Sequence, residues 1–288
     1  MPQWNCACAN CQAARTGRIP ARTQSSVAVS ADGAHWFLIN ASPDLPVQME
    51  ALRPREGGVG SLRSSPIEAL LLTNADLDHV LGLLLLREGE RLTVHATAAV
   101  RGTLVDGLRL EALLNTFCGV TWCEPTAEFS VLRLRDGSTS GLKARAIGLP
   151  GSAPRFAPNG SKIVEGHSVA WQIADETSGT RALIAPHVSA ITPELDEAMN
   201  ESDAVLFDGT FWSNDELQKV RTSARTAAEM GHLPVCESLR ALGQGKARHK
   251  VFIHLNNTNP VLAPGSVERA KVEAAGIAIG EDGMEFEL

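Results

Sequence analysis

The chain has 288 residues, 44% of them hydrophobic and 20% charged, a balance that suits a packed globular protein and excludes general disorder. Its 33 acidic and 26 basic residues leave a net charge of -7, which excludes a nucleic-acid binder that relies on phosphate neutralisation. Three of the six cysteines fall within the first eleven residues, and the composition contains no tyrosine.

The start, Met1 to Cys6, has no basic lead and no apolar stretch of signal-peptide length. The most apolar run, Val80 to Leu86, is far shorter than the ~20 residues that span a bilayer. A cytoplasmic protein with no membrane span is expected, in a compartment where thiols stay reduced and clustered cysteines serve metals or catalysis rather than disulfides.

In chain order, Ser26 to Ser30 and His35 to Asn40 read as paired strands joined at Asp32-Gly33. Ile67 to Thr73 reads as a buried strand ending in a polar loop, Asn74 to His79, followed by a leucine-rich helix to about Glu88. Further strands are expected at Leu92 to His95, Val131 to Leu134, Leu142 to Ile147, Ser168 to Ala174, Arg181 to Ala185, Ala204 to Phe207 and Val251 to His254. Helices are expected near 97–115, 193–200, 214–230 and 266–275. Strands punctuated by helices from end to end imply helix packed on sheet, an α/β protein rather than an all-β sandwich. Arg53 to Ser65 and Gly148 to Gly160 read as surface insertions, too short to divide the chain. One domain over 1–288 is expected, with a metal-binding knot at about residues 4–15.

Cys6-Ala7-Cys8-Ala9-Asn10-Cys11 spaces three thiolates closely enough to wrap one tetrahedral ion, with a fourth ligand from elsewhere. A closed sulfur-rich set suits structural zinc. Cys118, Cys123 and Cys236 stand alone and read as small core residues.

Thr73-Asn74-Ala75-Asp76-Leu77-Asp78-His79 follows a strand and opens a helix, where α/β proteins place ligands. Asp78 and His79 can share one metal if His254 supplies another nitrogen; the local alternative is a capped helix N-terminus. Two more strands, Val205 to Asp208 and Val251 to His254, end in metal-ligand residue types.

These residues resemble the metallo-β-lactamase superfamily, whose H-x-H-x-D-H loop is represented here by Asn74-x-Asp76-x-Asp78-His79. Within it the chain is most similar to the coenzyme PQQ synthesis protein B family. The matching stretches include Trp4 to Cys8, Asn40-Ala41-Ser42-Pro43-Asp44-Leu45, Phe207-Asp208-Gly209-Thr210-Phe211-Trp212, Met230 to Pro234, His254 to Pro260 and Asp282 to Glu285. The resemblance implies an αββα sandwich of two mixed sheets flanked by helices. It also implies a single active-site metal held by Asp78, His79 and His254, because Asn74 and Asp76 stand where the hydrolases keep two histidines. Two histidines and a carboxylate form the facial set of non-haem iron(II) oxygenases, and two-metal clamping is disfavoured.

The activity this resemblance implies is iron-dependent hydroxylation, in pyrroloquinoline quinone (PQQ) biosynthesis, of the tyrosine-derived ring of a Glu-Tyr diamino acid, with O2 as co-substrate. Asp208 and His232 are the implied catalytic residues: Asp208 accepts a hydrogen bond or proton or completes the metal shell, and His232 relays protons. Asp44, Arg87 and Asn257 are candidates for binding substrate, with Arg87 able to steer a carboxylate. Fe(II) at the active site and Zn at Cys6, Cys8 and Cys11 are the implied cofactors, the fourth zinc ligand being open because Asn257 stands where a related phosphodiesterase has histidine. His167 and His187 read as surface residues before they read as ligands. The rival readings are a metal-dependent hydrolase of phosphodiester or ester bonds and a non-catalytic carrier or transport accessory; a homodimer is compatible with all three.

Overall fold

In chain order the secondary structure runs α1 (Ala9–Arg15), β1 (Val27–Val29), β2 (Trp36–Ile39), α2 (Leu45–Leu52), β3 (Ile67–Leu71), α3 (Leu77–Val80), α4 (Gly82–Leu85), β4 (Leu92–His95), α5 (Ala98–Gly102), α6 (Leu110–Thr116), β5 (Val120–Cys123), β6 (Ser130–Arg133), β7 (Thr139–Leu149), β8 (Ser168–Asp175), β9 (Arg181–Ala185), α7 (Pro193–Asn200), β10 (Ala204–Asp208), α8 (Glu216–Lys219), α9 (Val235–Gln244), β11 (His249–Ile253), α10 (Val267–Ala274) and β12 (Ala278–Ile279). The structure, a computed structural model, describes residues 1–52, 65–157, 165–221 and 223–288. The expected insertion at Arg53 to Ser65 lies outside the described residues save for Ser65, as do residues 158–160 of the second. In the described part of that second stretch Ala153 and Ala157 are buried, so it is not wholly a surface excursion.

The chain divides into two compact units, Ser25–Thr180 and Met1–Gln24 with Arg181–Leu288. In Ser25–Thr180 a five-stranded sheet has the order β1-β2-β3-β4-β5. The β1–β2 pair is antiparallel, with Val27 opposite Ile39, and β2 through β5 run parallel. Its inner face carries Leu38, Leu70, Leu72 and Val94, packed with Val80 and Leu83 of α3 and α4 and with Leu104 and Leu114. The same unit holds the antiparallel strands β6, β7 and β8, paired from Leu142–Asp175 to Leu149–Ser168 across β7 and β8.

In the other unit β9, β10, β11 and β12 pair in parallel. All five residues of β10 are buried, which is why Ala-Val-Leu-Phe-Asp reads as a continuous apolar run and not an alternating one. Asp208 pairs with Ile253 in the β10–β11 register, so two neighbouring strands deliver Asp208 and His254 to the same carboxyl edge.

The fold is α/β with mixed sheets flanked by helices, as the sequence implies, and α7 spans the expected residues 193–200. Several expectations differ: α1, α2, β5 and β12 lie outside the expected elements, and the helix expected to about Glu88 is split into α3 and α4. The helix near 97–115 is broken into α5, a π turn at Thr103–Gly107 and α6, because Arg109 takes a left-handed φ of 56°. The helix near 214–230 shrinks to α8 and a 3-10 turn at Ala228–Met230, with Arg221 at φ 56° just beyond α8. Helix α9 was not expected behind Gly231-His232-Leu233-Pro234, yet Pro234 suits a helix start, where its missing N–H is no loss.

Candidate metal centre

Asp208 organises the carboxyl edge of β9, β10 and β11. It is fully buried, and its two oxygens accept four hydrogen bonds. Oδ1 takes the Thr210 amide at 2.9 Å and the Thr210 hydroxyl at 2.6 Å. Oδ2 takes the Val188 amide at 2.8 Å and His232 Nδ1 at 2.7 Å. A carboxylate offers about four acceptor positions, so these partners fill it. Burial pushes this carboxyl up, but the charge and hydrogen bond of His232, followed by the charges of His254 and His187, outweigh it and hold the group below the ordinary carboxylate range.

That arrangement decides which nitrogen each histidine presents. The Thr210 hydroxyl hydrogen points to Asp208, so its oxygen accepts from His254 Nδ1, 2.7 Å away. His232 gives its Nδ1 hydrogen to Asp208 directly. In its neutral form each ring therefore carries its lone pair on Nε2, the pattern by which carboxylates orient metal-binding histidines. His232 stacks on His254 with centroids 5.6 Å apart, and His187 lies 4.3 Å from His232. Asp208, His232 and His254 present ligand atoms within 4.8 Å of one another. Gly231 makes the approach of His187 feasible: it has φ 83°, and a Cβ there would lie 2.7 Å from His187 Nε2. His254 itself adopts φ 58°, an uncommon setting for a non-glycine residue.

In the Ser25–Thr180 unit the loop after β3 carries a polar cluster of its own residues. Asn74 Oδ1 accepts from His79 Nδ1 at 2.7 Å, and Asn74 Nδ2 donates to Asp76 Oδ2 at 3.0 Å. Asn74 and Asp76 are thus bonded to each other, and Asn74 fixes the His79 tautomer so that Nε2 bears the lone pair. Asn40 locks Thr73 from both sides, donating from Nδ2 to Thr73 Oγ1 and accepting the Thr73 amide, each at 2.9 Å. His79 is buried, and Asp78 Oδ2 lies 4.0 Å from its Nε2.

The three N-terminal cysteines come together. Ligand atoms of Cys6, Cys8 and Cys11 lie within 4.8 Å of one another, the three thiols being brought together by a tight turn into α1. Asn257 reaches this knot: its Nδ2 is 3.3, 3.5 and 3.4 Å from the sulfurs of Cys6, Cys8 and Cys11. Asn10 clamps the same segment, donating to the carbonyls of Asn257 and Asn259 at 3.1 and 2.8 Å. A soft, three-sulfur donor set fits zinc, and imidazole and carboxylate donors fit iron or zinc.

The remaining expected residues are placed as follows. Asp44 precedes α2, half-buried, its amide bonded to Ser42 Oγ. Arg87 donates to the Leu84 carbonyl at 3.0 Å and lies over Phe117 at 5.8 Å. His167, read from sequence as a surface residue, is buried, and burial lowers its pKa; His187 is half-buried against His232. Cys236, read as core, is exposed on α9 because the apolar face of that helix is carried by Val235 and Leu242 instead. Thr210 and Asn74 were the residues whose roles the sequence did not disclose; the one available signal was that each sits in a strand-terminal loop beside a histidine or aspartate.

A β-lactamase superfamily domain model matches residues 35–255, and the chain belongs to that superfamily. It has the metallo-β-lactamase fold, that of a class of metal-dependent enzymes. More narrowly, the chain belongs to the coenzyme PQQ synthesis protein B family, and so to PQQ biosynthesis. It is 41% identical to the coenzyme PQQ synthesis protein B of Rhizobium meliloti, covering 100% of this chain and 94% of the relative. It is 40% identical to that of Cupriavidus necator, covering 100% and 95%. Among solved structures, Zn(2+)-bound PqqB from Methylobacterium extorquens superposes with a TM-score of 0.87 at 35% identity, over 100% of this chain and 95% of that one. A diphosphatase of the PhnP family shares the fold, with a TM-score of 0.67 at 19% identity, over 99% and 90%. Metal use by this chain is supported by the zinc-bound neighbour and by the donor groups described above. Among the described residues no helix is long and apolar enough to cross a membrane.

Proposed function

We propose that this chain is an iron(II)-dependent hydroxylase that oxidises the tyrosine-derived ring of a Glu-Tyr diamino acid on the way to PQQ, with zinc in the cysteine knot. The observation that carries the reading is the carboxylate-oriented histidine pair: Asp208 sets the Nδ1 hydrogens of His232 directly and of His254 through Thr210, which commits both Nε2 atoms to acceptance. Asp78 and His79 are the ligands that the loop motif contributes to this reading, and Asn74 is an orienting residue in place of a ligand. With one degraded half of the histidine motif, the chemistry favoured is that of a single metal with open positions.

Iron(II), when bound, supplies the capacity to activate O2. The residues of this chain supply position and protons. His254 is held by Thr210 as a ligand. His232, bonded to buried Asp208 and beside His187, is placed to hold or relay a proton at Nε2. Asp44 and Arg87 are the proposed contacts for the carboxylates and amines of the substrate. The cytoplasm, where the knot thiols stay reduced, is the proposed location.

The test is oxygen consumption by anaerobically iron-loaded protein given the diamino acid. Substrate-dependent uptake with ring hydroxylation is expected. No uptake at full iron occupancy overturns the hydroxylase, and phosphodiester cleavage that survives iron removal establishes the hydrolase instead.

A further inference from the structure

We infer that Asn257 completes the metal site of the cysteine knot, its carboxamide oxygen serving as the fourth ligand beside Cys6, Cys8 and Cys11. The inference rests on the zinc reading of the knot. Its basis is that one terminal atom of Asn257 lies 3.3, 3.5 and 3.4 Å from all three sulfurs at once. In a tetrahedron with Zn–S near 2.3 Å and Zn–O near 2.1 Å, the sulfur-to-oxygen edge is about 3.6 Å. The capping atom of Asn257 therefore already stands at the fourth vertex of a site of zinc dimensions. A side chain that merely donated hydrogen bonds would address at most two of the three sulfurs, because its NH2 group carries two N–H bonds and each points at one acceptor.

The atom facing the sulfurs is Nδ2, a donor from which sulfur accepts. A half-turn about the Cβ–Cγ bond exchanges Nδ2 for the nearly isosteric Oδ1 and asks nothing of the backbone. The backbone is held in any case: the Asn257 carbonyl accepts from Asn10, and the Asn256 amide donates to the Thr210 carbonyl. A neutral oxygen beside three thiolates leaves the bound site with one net negative charge, and the Asn10 carboxamide and the Arg15 guanidinium, which donates to the Cys6 carbonyl at 2.6 Å, lie against the segments that carry it.

The test uses the full-length protein with the knot loaded by Co(II). Thiolate-to-cobalt charge transfer reports the knot alone, because the other candidate ligands carry no sulfur. In the wild-type protein this band should be unchanged by azide, since no exchangeable position remains. Asn257→Ala should become azide-sensitive and should lose zinc affinity, measured by chelator competition, by more than the ~100-fold that marks the loss of a partner outside the ligand set. Asn257→Asp should retain the metal and the azide-insensitive band, because a carboxylate can ligate where a carboxamide does. An azide-sensitive wild-type band, or an Asn257→Asp variant that loses zinc as Asn257→Ala does, overturns the assignment: the first shows a displaceable solvent ligand, the second shows that the side chain served as an N–H donor. Failure of the wild-type protein to give any thiolate band overturns the zinc reading itself.

Discussion

Asn74 Oδ1 accepts a 2.7 Å hydrogen bond from His79 Nδ1, so the Asn74 carboxamide orients the imidazole proposed as a metal ligand. A ligand whose tautomer and ring angle are preset binds metal without spending entropy on either.

Asn74→Ala should therefore weaken active-site metal binding by about 10- to 100-fold, the usual effect of losing a group that orients a ligand. Isothermal titration of iron(II) or its manganese surrogate under anaerobic conditions measures it. An unchanged affinity would show that His79 is oriented by Thr73, whose hydroxyl is 3.4 Å from the same nitrogen.

Asp208→Ala removes the acceptor of the Val188 and Thr210 amides and of His232, all of them buried. Removing one member of a buried, bonded charge set costs about 3–5 kcal/mol. Urea denaturation of the metal-free protein should show a loss of that order, and a loss under 1 kcal/mol would mean that water replaces the carboxylate.

His254→Ala should abolish iron binding and leave zinc in the knot, because the three cysteines and Asn257 do not involve that side chain. Metal analysis after dialysis distinguishes the two sites. Loss of both metals together would show that they are a single cooperative unit.

Glu216 gives a pH prediction. It is buried, accepts from Thr258 Oγ1 at 2.5 Å and the Trp212 amide at 2.6 Å, and burial pushes its carboxyl up to about 7 from an ordinary 4.5. The unfolded chain loses this proton near 4.5 and the folded chain near 7, so the stability it contributes is present below pH 4.5 and is lost as pH rises through 7. At about 1.4 kcal/mol per pH unit the loss is about 3 kcal/mol across that window. Glu216→Gln should flatten that part of the stability–pH curve, measured by denaturant unfolding between pH 5 and pH 8. A wild-type curve no steeper than the variant's would place the carboxyl in contact with solvent.

Much of this molecule was legible in the residue string. Fully apolar runs such as Ala204 to Phe207 declared strands, and the motifs Cys6-x-Cys8-x2-Cys11 and Asp78-His79 declared candidate donor groups, because both signals are confined to a few consecutive positions. Broken helices were not legible: Arg109 and Arg221 adopt left-handed backbone that no local pattern of arginine marks.

The sequence by itself determined the α/β class and the positions of most strands, and it singled out the candidate ligands, since alternation, apolar runs and ligand spacing are written in near neighbours. Only the tertiary structure decided what the polar residues between them do. Thr210 meets His254 across 44 positions, His232 meets Asp208 across 24, and Asn257 meets Cys11 across 246. Each of those bonds selects a proton position or fills a vertex, and such choices depend on which side chain a fold carries to within about 3 Å of another.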